Sequence, residues 1–241
     1  MEVVSVTLAR VVILVSTDEL NPSGKVPVLK IAAGLAEHYG FAKFPKTLDE
    51  WSAPSGAEFV AGQLGDIAIS KATLFARGMV VETASSTEDS EKALNDMLTW
   101  GAETFGLLRP SPDRPRWYAS ELVFKSQMSL DSMHPVLRIV AEKVSASLAN
   151  DPRRLAPYET TMIHWNFDDT NLKLPPGPFR IERRVGAPFS DNKWFSSAPL
   201  PTDQHIAILE ECERALMSPM PRAAKPKKTA TARRGKKPKK K

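Results

Sequence analysis

Cysteine is almost missing from this chain: Cys212 is the single one in 241 residues. No disulfide can close within the chain, and a metal site built on clustered cysteines is excluded. Long apolar runs are missing too. No stretch reaches the roughly 18 consecutive apolar residues that span a bilayer. Met1 to Val15, though apolar, carries Glu2 and Arg10 where a signal peptide needs a basic start and a clean apolar centre. The expectation is a protein without membrane insertion, working in the cytoplasm, or in the nucleus if its source is eukaryotic. The sharpest absence is local. Pro221 to Lys241 contains no Asp or Glu but 11 of the 33 Lys and Arg. Outside it, 22 basic residues stand against 28 acidic ones, so a body of net charge −6 carries a +11 appendage and the formal +5 describes no single surface. A run so rich in Lys, Pro, Ala and Thr has too little apolar surface to offset its ordering entropy, which predicts a disordered basic tail over 219–241.

What remains is an ordinary globular composition, 42% hydrophobic, enough for one large domain or two of about 100 residues. Val3 to Val15 is dominated by Val, Ile and Leu without helical spacing and reads as a largely buried strand. Asn21, Pro22, Ser23 and Gly24 form a turn. From Pro27, the apolar positions Val28, Ile31, Ala32, Leu35 and Tyr39 recur at helical spacing and Gly40 can close the end. Glu58 to Ala84 reads as three short strands punctuated by Gly62, Gly65 and Gly78. Ser85, Ser86 and Thr87 then offer N-caps to a helix whose face is Leu94, Met97, Leu98, Gly101 and Phe105.

Pro110, Pro112 and Pro115 make 108–116 a linker. Beyond it come a strand over Trp117 to Lys125 and a helix from Pro135, with Leu137, Val140, Ala141, Val144 and Leu148 on its inner face. Strands follow at Met162 to Asp168, Phe179 to Val185 and Lys193 to Ser197, then a helix over Asp203 to Met217 presenting Ile206, Leu209, Cys212 and Leu216. The fold class is therefore α+β, a mixed or mainly antiparallel sheet covered by four helices, in two halves, 1–107 and 117–218. Each half reads strand, helix, three strands, helix, which points to an internal duplication. Its traces are Pro27-Val28-Leu29-Lys30-Ile31 against Pro135-Val136-Leu137-Arg138-Ile139, and Thr87 and Leu94 against Thr202 and Leu209.

No short motif announces a chemistry. Asn21 to Lys25 ends like a phosphate-binding loop, but Val26 stands where Ser or Thr is required. Gly62-Gln63-Leu64-Gly65 has the spacing of an RNA-clamping loop, yet Glu58 and Asp66 surround it, and a hairpin turn explains it. Ser85, Ser86 and Ser90 lack the glycines of a nucleophile elbow and read as caps. His164, Asn166 and Asp168 alternate with Ile163, Trp165 and Phe167, so they share one strand face. His164 and Asp168 are thus the catalytic candidates, although a half-buried strand needs such a solvated face in any case. His38, His134 and His205 have no ligand or carboxylate at useful spacing, and no metal or cofactor is expected. Arg109, Arg114, Arg116, Arg153, Arg154, Arg183 and Arg184 could gather as a second cationic patch, with a scattered solvated set as the expectation.

The tail carries the specific signal. Arg222, Lys225, Lys227, Lys228, Arg233, Arg234, Lys236, Lys237, Lys239, Lys240 and Lys241 can each neutralise a phosphate without reading a base. Fully extended, the run reaches roughly 70 Å. The expected function is a non-enzymatic interaction protein, held on DNA or RNA by its tail and meeting a protein partner or copies of itself through its body. The alternatives are a tail that grips an acidic partner or only aids solubility, and an enzyme with an unfamiliar site.

Overall fold

A computed structural model of the chain describes residues 1–150, 157–166, 168 and 175–217. Its elements in order are β1 (Glu2–Ile13), α1 (Thr17–Leu20), α2 (Val28–Tyr39), α3 (Leu48–Trp51), β2 (Ala57–Leu64), β3 (Ile67–Phe75), β4 (Gly78–Thr83) and α4 (Thr87–Phe105). Then follow β5 (Arg116–Lys125), α5 (Pro135–Ser147), β6 (Met162–Trp165), β7 (Phe179–Arg183), β8 (Lys193–Ala198) and α6 (Thr202–Met217). All eight strands form one antiparallel sheet in the order β2-β3-β4-β1-β5-β8-β7-β6. The α+β class holds, with two single-turn helices, α1 and α3, beyond the four expected.

Local chemistry places the elements where the apolar spacing puts them. Gly40 closes α2 and Gly106 closes α4, each with a left-handed backbone that a side chain would strain. Ser86, among the three cap candidates, accepts the Asp89 N–H, while Glu88 and Asp89 sit at the positive end of α4. The loop between β2 and β3 is a two-residue hairpin, with Gly65 at φ +55°, and not a clamp between helices.

α2 and α4 cover one face of β1 to β4 and bury Ile31, Leu35, Tyr39, Leu94 and Met97 against Val11, Ile13, Phe59, Ile69 and Val81. The Tyr39 hydroxyl donates to Asp96 at 2.6 Å, which joins the two helices. α6 covers the other half, with Leu209 against Leu122, Phe124, Ile181 and Trp194. Two corrections stand against the expectations. β6 ends at Trp165 and not at Asp168. α5 forms, but no residue of it is buried, and Val140 and Val144, expected on its inner face, are exposed. It packs chiefly on the turn Leu130–Ser132.

The proline-rich segment does not part the halves into separate sheets, because β5 pairs with β1 at the centre. Outward from that pair, the order is β1-β4-β3-β2 on one side and β5-β8-β7-β6 on the other, one connectivity traversed twice. Ala9 lies opposite Ser120 in the central pair, opposite Thr83 on β4, and Ser120 lies opposite Ala198 on β8.

Candidate functional site

His164 lies on edge strand β6, exposed and directly opposite Arg180 of β7, on the sheet face that no helix covers. Asp168 is exposed beyond the strand end, so the alternation that would align the two stops between them. Both side chains are exposed, whereas a general acid–base pair needs a held geometry. Among the described residues, no group of three His, Cys, Asp or Glu stands close enough to hold a metal ion, and no helix is long and apolar enough to cross a membrane. The eleven basic tail residues, Arg153 and Arg154 lie outside the described residues. Of the other candidate arginines, Arg114 answers to Glu19, Arg116 to Glu91, and Arg183 to Glu159 and, at 4.1 Å, the face of Trp194. Arg184 lies over the Phe195 ring at 5.7 Å.

His205, which spacing gave no reason to choose, sits in a buried polar cluster. Its Nδ1 lies 2.8 Å from the Ser120 hydroxyl and its Nε2 2.8 Å from the Ser196 hydroxyl. Ser120 Oγ also reaches the Leu200 carbonyl at 3.0 Å and Ser196 Oγ the Arg180 carbonyl at 2.7 Å. Burial pushes the imidazole down to about 4, so the ring is neutral near pH 7. A neutral ring and two hydroxyls supply three protons to four contacts, so one serine must turn from its carbonyl toward the ring. A Ser–His contact is the geometry of an activated nucleophile. Here Ser120, Ser196 and His205 all have 0% exposure, so no substrate can reach them. The cluster ties α6 to β5 and β8.

Beside it, the helix starts hold each other. The Thr87 N–H donates to Thr202 Oγ1 at 3.0 Å, and the Thr202 N–H donates to Thr87 Oγ1 at 2.7 Å. Each is the first residue of its helix, where the N–H has no partner within the helix, and each satisfies the other's. The two threonines paired from sequence alone thus meet in space.

The open face of the sheet holds an accessible cleft of about 420 Å³ over β1, β3 and β4. Its floor is the cross-strand row Thr73, Val80 and Val12, extended by Leu14 and Phe75, the last two each 40% exposed. One wall is a ladder of alternating charge: Arg10 to Glu82 at 2.9 Å, and Lys71 to Glu58 at 3.7 Å. Arg77 and Ser55 complete the lining. The cleft thus sets an apolar floor beside two paired charges. No protein-family model matches the chain, and no curated protein matches it.

Proposed function

We propose that the protein is a non-enzymatic interaction protein acting inside the cell. The body meets a protein through the open face of its sheet, and the basic run after α6 holds it on DNA or RNA. The separation of charge along the chain carries this reading: +11 within Pro221 to Lys241, against −6 for the rest. A run of Lys and Arg without acidic or aromatic neighbours binds phosphates by releasing counterions and reads no sequence. α6, the last described element, ends at Met217, which is 59% exposed. The cleft over Val12, Val80 and Phe75 supports the second half of the reading, since Arg10 and Lys71 are already paired with Glu82 and Glu58 and burying these pairs beneath a partner leaves neither as a lone ion.

The test is a salt series on random duplex and random single-stranded oligonucleotides, with the full chain and with a chain ending at Ser218. The expected affinity falls linearly on a log–log plot, by about 0.9 per neutralised phosphate on duplex and about 0.7 on single strand. Deleting the tail should abolish it. Affinity that survives the deletion would move the site to the body, and binding by neither chain would reject the nucleic-acid tether.

A further inference from the structure

The two edges of the sheet are treated differently. At β2, Ala42 and Lys43 lie alongside as an extra bridge, the Ala42 N–H donating to the Val60 carbonyl at 3.0 Å and the Val60 N–H to the Lys43 carbonyl at 2.9 Å. Ala61 follows in a left-handed backbone at φ +57°, which breaks the regular edge. Both are known ways to stop a strand from recruiting another chain. At β6, among the described residues, neither device is present: Met162-Ile163-His164-Trp165 has no proline, no lysine, no bulge and no strand outside it. Apolar side chains stay in solvent around it, with Met162 and Tyr158 at 52% exposure and Trp165 at 40%.

We propose that β6 is the contact through which two copies of this chain pair, antiparallel and isologous, continuing one sheet into the next. The strand is complementary to itself. Residues opposite one another must share a face, and a two-fold axis through His164 sets each Ile163 against the partner copy's Trp165. Ile163 and Trp165 point to the helix-covered face, where Ile163 packs on the core and the Trp165 ring meets Phe179 at 5.4 Å. Two aromatic-to-β-branched pairs result, a favourable cross-strand combination. His164 meets its own copy at the axis. No carboxylate, lysine or arginine stands on β6, so copies meet without like charges on the strand. A four-residue strand buries little, which places the contact among weak, concentration-dependent interfaces. The pairing does not depend on what the tail binds.

The experiment is sedimentation velocity on the full chain over a wide concentration range, with two variants of the axial residue, His164→Asp and His164→Lys. His164 is exposed, so circular dichroism should show both folded as the parent. The parent should pass from monomer to dimer as concentration rises. Each variant alone should stay monomeric, since like charges meet at the axis, and an equimolar mixture should recover a one-to-one dimer. Hydrogen exchange in the peptide spanning 160–166 should slow with parent concentration. A parent that remains monomeric throughout overturns the proposal, as do variants that dimerise as well as the parent or a mixture that stays apart.

Discussion

His205 shows how one side chain can set the acid tolerance of the whole fold. Its folded value of about 4 lies below the ordinary 6.5, so the unfolded chain binds the proton more readily between those two values. This contribution to stability is complete above about pH 6.5 and is lost progressively as the pH falls toward 4. The loss there is about 3 kcal/mol from this group. Urea midpoints measured at pH 7 and pH 4.5 should show the fall, and His205→Gln, less stable at pH 7, should show a smaller one. The threonine pair makes a second test. Thr87→Ala leaves the buried Thr202 N–H without its acceptor, at a cost of about 1–3 kcal/mol. Because Thr202→Ala breaks the same exchange, the double variant should fall short of additivity by at least about 0.5 kcal/mol in a double-mutant cycle. None of the His205 cluster was legible in the chain, since Ser120 lies 85 residues away and only the fold brings it near.

At the scale of the element, α2 and α5 start with nearly the same five residues and meet different fates. α2 has Gly34 facing α4, where an added Cβ would lie 2.6 Å from the Phe105 ring, and the close approach lets Leu35 and Tyr39 sink into the core. Among the described residues α5 has no such partner, and its valines stay in water. Leu35→Ala should therefore cost about 2–5 kcal/mol, while Val140→Ala should change stability by less than about 0.5 kcal/mol, both read from chemical denaturation. Helix spacing was legible in both segments because it is a local property. Which face became core was not, because it depends on what packs opposite. β6 ended early for the same reason: alternation runs through Asp168, but among the described residues the ladder with β7 covers Met162 to Trp165.

For the whole molecule, the basic run and the body should behave independently. Ending the chain at Ser218 removes all 11 tail charges and should leave the unfolding midpoint unchanged while the isoelectric point drops below neutrality. Scanning calorimetry and isoelectric focusing check both. The sequence by itself determined the α+β class, the helix starts at Pro27, Ser86 and Pro135, the hairpin at Gly65 and the division of charge between body and tail, because capping, periodicity and net charge are carried by neighbouring residues. Only the tertiary structure decided that β1 and β5 join two halves into one sheet, that His205 is sealed between two serines, and that Thr87 and Thr202 cap each other. Those outcomes rest on contacts between residues far apart in the chain, whose closure depends on packing that no local pattern records.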